Sequence, residues 1–228
     1  MNKVLLGYFS LMILTDGGIA RDEVYFVTTD KVLAKLFTKL SKALWGKTPI
    51  RIRYRRGRYS WMKLRVKDSK IAKMLAKLTR NKSCIPEFIT NEKDPKILAE
   101  YLKIIASTDG GVAFYQSKRN DGYVRTERHV IIGCKNELIK KQMRELFSRL
   151  GINTRTVKEG LRISGRDNLK KFRDKVGFVP GCLITSKSPK WKGYTKNQVL
   201  DFMITSYSGS TAPRKGGFPE IIIFLMRI

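Results

Sequence analysis

The 228-residue sequence predicts an α/β (α+β) protein assembled from two pseudo-symmetric αββαββα repeats, and three observations lead there. An apolar segment ending in Thr-Asp-Gly-Gly occurs twice, once near the start and once near the middle. Each copy is followed by the same succession of strand-like, helical, basic-hairpin and helical patterns. A hydrophobic content of 42% in a chain of this length supports a buried core rather than disorder.

The first motif copy runs from Phe9 to Gly18 and closes on Thr15, Asp16, Gly17 and Gly18; the second runs from Leu102 to Gly111 and closes on Thr108, Asp109, Gly110 and Gly111. Lys3 and the apolar run to Leu14 imitate a secretory leader, with Gly18, Ile19 and Ala20 as its cleavage site. An internal copy cannot be a leader, so the first copy reads as retained structure. Glu23 to Thr28 is rich in β-formers, and Leu33, Leu36, Phe37, Leu40 and Leu44 give helical spacing from Lys31 to about Trp45, closed by Gly46. A basic hairpin follows, out through Ile50 to Arg55, turning at Arg56 and Gly57 and returning from Trp61 to Lys67, before a helix from about Ser69 to Leu78. The second copy repeats the order. Its strands run from Val112 to Ser117 and from Tyr123 to Ile132 around the turn Asn120-Asp121-Gly122, with a helix from about Asn136 to Leu150. A hairpin from Ile152 to Ser164 turns at Glu159 and Gly160, and a helix spans about Asn168 to Val176. A last helix is expected between Trp191 and Tyr207, then a loop from Ser208 to Pro219 and an apolar run from Glu220 to Ile228 that is too short to span a bilayer. The organisation expected is a first repeat over 1–90, a second over 91–207 and a tail over 208–228.

Lys and Arg number 47 against 19 acids, a net charge of +28, and charge of that size calls for a polyanionic partner such as nucleic acid. Cys84, Cys134 and Cys182 form no CxxC pair and cannot make a zinc site with the single His129. A reduced, cytoplasmic chain that is not secreted and not membrane-bound is expected. His129 has no nearby Ser or Cys in a recognisable elbow, which sets aside histidine-based nucleophilic chemistry.

The duplication, the order of elements and the helix ending in Asp-Gly resemble the LAGLIDADG homing endonucleases of the single-chain, two-repeat type, in the compact basic form of archaeal intron-encoded members. The first motif keeps Ile13, Asp16 and Gly17, the second Leu102, Asp109 and Gly110, and the resemblance extends to about residue 207. It implies two antiparallel sheets backed by helices and forming a DNA-binding saddle. It also implies a monomer that hydrolyses both strands of double-stranded DNA at a long, near-asymmetric site. Paired divalent cations can make the nucleophile and neutralise the phosphate without a histidine, and Mg²⁺ accepts few carboxylates because it keeps waters. Asp16 and Asp109 are therefore the candidate catalytic metal ligands, for Mg²⁺ or another divalent cation such as Mn²⁺. The resemblance adds the carbonyls of Thr15 and Thr108 as ligands and places Lys135 as a polar residue near the scissile phosphate. In the first repeat the aligned residue is Asp30, between Thr29 and Lys31, and Asp30 is also a good helix N-cap. The alternatives are a non-cleaving DNA- or RNA-binding protein of the same fold, such as an intron maturase, or a basic ribosomal-type RNA protein.

Strand periodicity turns Ile50 and Ile52 inward and Arg51, Arg53 and Arg55 outward, with Met62, Leu64 and Val66 alternating against Trp61, Lys63, Arg65 and Lys67. The expected DNA surface comprises Arg51, Arg53, Arg55, Arg58, Lys63 and Arg65 from the first repeat and Lys118, Arg119, Arg125, Arg128, Arg155 and Arg162 from the second. Two arms of about ten residues at about 3.3 Å each would cover roughly twenty base pairs.

Overall fold

A computed structural model of the chain describes residues 1–57, 59–118, 120, 122–184 and 189–207. The tail expected over 208–228 lies outside the described residues, as do Arg58 and Arg119. The first repeat is α1 (Lys3–Leu14), β1 (Gly17–Ile19), β2 (Glu23–Thr28), α2 (Lys31–Trp45), β3 (Ile50–Arg56), β4 (Tyr59–Lys67) and α3 (Ser69–Leu78). A single turn, α4 (Glu87–Thr90), leads into the second repeat. That is α5 (Pro95–Asp109), β5 (Gly110–Lys118), β6 (Val124–Gly133), α6 (Glu137–Arg149), β7 (Arg155–Val157), β8 (Gly160–Ser164) and α7 (Arg166–Lys175). The chain continues through α8 (Lys196–Thr205). The αββαββα order thus occurs twice, and the two sheets share one antiparallel topology, β1-β2-β4-β3 and β5-β6-β8-β7.

Short polar residues set the helix starts. Asn2, Asp30, Asp68, Asp94, Asn136 and Thr195 each accept first-turn N–H groups that the helix itself leaves unpaired. The leader-like helix α1 is central: Phe9, Leu11, Met12 and Ile13 are fully buried. An apolar helix with no wet face belongs between other elements, and α1 packs on α2, α5 and the first sheet. No described helix is long and apolar enough to cross a membrane.

The pair α1–α5 marks the pseudo-two-fold axis. Tyr8 and Tyr101 stand at equivalent positions eight residues before each acid, and their rings meet edge to face at 5.6 Å. A Cβ on Gly7 would lie 2.4 Å from the Tyr101 ring, so this glycine admits the partner helix.

Helices cover one face of each sheet. In the first, Val24, Phe26, Leu64 and Val66 form the covered face, each at most 2% exposed. Pairing register corrects the expected facing of β3. Arg51 lies opposite Leu64 and Arg53 opposite Met62, so the arginines share the helix-side face. Ile50 lies opposite Arg65 and Ile52 opposite Lys63, on the open face, where Ile50 is 50% exposed. The physical reason is that β3 is the edge strand and its arginines project past the helices rather than under them. In the second sheet Phe114, Val130, Ile132, Leu161 and Ile163 are covered. The hairpin expected from Ile152 is shorter than its sequence pattern: Ile152 is buried, and the Asn153 main chain exchanges hydrogen bonds with the Asn168 side chain. The long arm of this repeat is β5–β6, of nine and ten residues.

Candidate active site

The central helices end where the strands begin. Thr15 follows α1, Asp109 is the last residue of α5, and the chain turns into β1 and β5 almost at once. Glycine permits this. A Cβ on Gly17 would lie 2.6 Å from Ile13 Cα and 2.7 Å from Tyr25 O, and one on Gly110 would lie 2.1 Å from Ala106 O. The hydroxyls of Thr15 and Thr108 donate back to Leu11 O (2.8 Å) and Ile104 O (3.0 Å), a matched pair of contacts at the two helix ends.

The turns bring the two acids together, and Asp16 and Asp109 share a hydrogen bond. Burial raises the pKa of both. Asp109 is pushed up to about 7, by burial first and then by the charge of Asp16 and the shared hydrogen bond. Two lysines oppose this. Lys82 Nζ donates to Gly17 O, while Lys196 Nζ donates to both Ser107 O and Gly110 O at 2.7 Å. Gly17 and Gly110 are equivalent positions, so each repeat places one lysine on the carbonyl just past its acid. Burial lowers both lysine pKa values, and both ammonium groups act on both acids. These lysines escape a sequence reading because 47 cations carry no individual mark. The available signal is positional, since each follows the last helix of its repeat.

Among the described residues no cluster of three or more His, Cys, Asp and Glu could hold a metal. Two carboxylates that resist charging together, with carbonyls beside them, nevertheless suit a hard divalent cation that retains waters. A cavity of about 30 Å³, the space of one water, lies beside Asp109 between Thr15, Gly133 and Cys134.

The other candidates have the following surroundings. Lys135 is exposed and adjoins Cys134, while the cations acting on Asp109 are Lys82 and Lys196. Asp30 caps α2 through Oδ1 (2.7 Å to Val32 N) and accepts Leu183 N through Oδ2 (2.8 Å), tying the repeats together. His129 is buried on the second sheet, 3.7 Å from Glu127, and burial lowers its pKa. The three cysteines are unpaired.

On the open face of the first sheet lie Lys63 and Arg65, with Ile50, Ile52, Tyr54 and Trp61. Arg65 Nε donates to Glu23 Oε2 at 2.7 Å, and Lys63 Nζ stands 3.9 Å from the Tyr25 ring centre. On the open face of the second, Arg155 lies opposite Arg162, and Arg125 lies opposite Ser117. Lys118 is exposed at the end of β5 on the other face, in line with Phe114. Arg128 departs from its expected place on the DNA surface. It lies on the covered side, donates to Ser206 Oγ at 2.7 Å and stacks on Tyr207, because the end of α8 crosses the strand there.

Residues 96–177 match the sequence profile of a LAGLIDADG-like domain. No curated protein matches the chain in sequence. Among solved structures, the homing endonuclease I-WcaI bound to its DNA recognition sequence superposes with a TM-score of 0.56 at 13% identity, covering 79% of this chain and 84% of that one. I-DmoI in complex with DNA and Ca gives 0.52 at 16% identity, covering 87% and 97%. Full-length DUF199/WhiA from Thermatoga maritima gives 0.56 at 14% identity, covering 99% of this chain and 66% of that one.

Proposed function

We propose, for a chain with the LAGLIDADG fold and a LAGLIDADG-like domain over residues 96–177, that it is an intracellular, monomeric, site-specific endonuclease cutting both strands of DNA. The observation that carries this reading is the pair of equivalent half-buried carboxyls, Asp16 and Asp109, brought together at the ends of the central helices with a lysine from each repeat beside them. Similar folds described as bound to a DNA recognition sequence, or to DNA with Ca or Mn, support the partner and the metal class.

Asp16, Asp109 and the neighbouring carbonyls would hold divalent cations, Mg²⁺ or Mn²⁺. When bound, such ions supply a nucleophilic water at neutral pH and offset charge on the phosphate. Asp109, whose carboxyl is held up to about 7 by burial and by Asp16, would serve such a cation as its carboxylate. Lys82 and Lys196, fixed on Gly17 and Gly110, hold positive charge where the scissile phosphates come to rest and stabilise charge developing there. The open sheet faces lie along the duplex. Strands of nine and ten residues, β4 and β6, reach about 60 Å together at ~3.3 Å per residue, or roughly eighteen base pairs.

The test is cleavage of a plasmid carrying the selected binding sequence, with Mg²⁺, without it, and with Asp16→Asn or Asp109→Asn. Metal-dependent double-strand cutting lost in both variants is expected. A second reading is a DNA- or RNA-binding protein of the same fold that does not cut; DUF199/WhiA, which matches over 99% of this chain, shows that fold outside the structures described as homing endonucleases. Specific binding with no cleavage under any divalent cation would select it.

A further inference from the structure

We infer that the two repeats read their half-sites by different chemistry: the first by apolar contact with thymine methyl groups through Ile50 and Ile52, the second by arginine recognition of guanine through Arg155 and Arg162. The inference rests on the reading above that the open sheet faces lie along the duplex, and it places them in the major groove, which admits a two-stranded β-ribbon.

On the first sheet, register sets Ile50 beside Arg65 and Ile52 beside Lys63 on the open face. Two of the three cations there are already engaged, and the third, Lys67, stands at the far end of β4 opposite Glu23. Arg65 donates to Glu23, and Lys63 stands 3.8 Å from Glu23 Oε1 and over the Tyr25 ring. What the β3 side of this face leaves open is apolar. Ile50 is 50% exposed and Tyr54 39%, the latter stacked on Trp61 at 5.6 Å. Ile50 and Ile52 leave apolar surface open on this face, and the only apolar group a base edge offers in the major groove is the thymine methyl. The arginines of β3 point to the opposite face and cannot reach these bases.

The second sheet is the reverse case. Arg155 and Arg162 stand directly opposite on neighbouring strands, a like-charge pair that weakens an isolated sheet. Arg162 Nε is buried and has no hydrogen-bond partner among the described residues. Two adjacent guanidinium groups on this open face suit guanine, whose O6 and N7 accept a bidentate pair from terminal guanidinium nitrogens.

The experiment is selection of bound duplexes from a randomised library with the full chain, followed by base-analogue substitution in the recovered site. Thymines are expected in one half and guanines in the other. Replacing those thymines with deoxyuridine, which lacks the methyl, should weaken binding about fourfold per contacted base. The Ile50→Ala, Ile52→Ala double variant, altered only at exposed or half-exposed positions, should bind the thymine and uracil sites equally. Replacing the guanines with 7-deazaguanine should weaken binding about tenfold, and Arg162→Ala should abolish that difference. Specific binding with no response to uracil, or with uracil sensitivity retained in the double variant, overturns this inference alone. Absence of any sequence preference overturns it together with the reading on which it rests.

Discussion

Asp109 holds its proton up to about 7 because burial and Asp16 both oppose its charge. An unfolded aspartate titrates near ~3.9. The folded chain therefore binds this proton more tightly, and its contribution to stability is full in acid and is lost as pH rises through about 7. In metal-free buffer, thermal stability should fall from about pH 4 to about pH 7 through this group and level off above. Asp109→Asn should abolish cleavage yet raise the pH 8 stability of the free protein by at least ~1.4 kcal/mol, roughly 3–5 °C in Tm. A Tm unchanged by the substitution would contradict the burial of charge here. Lys82 makes a separate prediction. Lys82→Met should slow single-turnover cleavage by about a hundredfold while DNA affinity stays within about threefold, as expected of a charge placed for the transition state. Equal losses in both would assign it to binding. The acids were legible in the sequence because a duplicated Thr-Asp-Gly-Gly marks them. The lysines were not, since only folding places Lys82 and Lys196 on matching carbonyls.

Helix-to-strand junctions distinguish the two glycines after each acid. At Gly110 an added methyl meets the Ala106 carbonyl at 2.1 Å, while at Gly111 it meets nothing within 4 Å. Gly110→Ala should cost about 1–3 kcal/mol in denaturant unfolding, and Gly111→Ala less than ~1. Equal effects would mean that the junction relaxes freely. Most elements were legible from periodicity and caps, and α2 and α3 match their expected bounds. Facing was not legible for β3. Alternation separates isoleucine from arginine but does not say which face the helices cover, and an edge strand can leave its apolar side open. Arg51, Arg53 and Arg55 are consequently placed for phosphates at the rim rather than base edges. Changing all three to Ala should reduce the slope of log affinity against log salt by about 2–3 and leave sequence preference unaltered. Altered base preference would return them to the groove.

For the whole molecule, the internal repeat made the pseudo-symmetry legible, but not that the arms come from different hairpins. The first repeat extends β3–β4 and the second β5–β6, because the polar exchange between Asn153 and Asn168 ends strand pairing early in the second. Unequal arms fit an unequal target. Sedimentation of the complex should give one chain per duplex, since both acids belong to one chain; two chains would defeat the monomeric reading.

The contact of Tyr8 with Tyr101 at the helix pair also bears on concentration. The surfaces of α1 and α5 that meet there could have come from separate chains, and their encounter would then depend on how much protein is present. One covalent chain instead holds them at an effective concentration of order millimolar. Activity should therefore scale linearly with protein down to the lowest dose. A chain divided between Asn91 and Asp94 should scale with the square of its concentration, until its halves saturate one another.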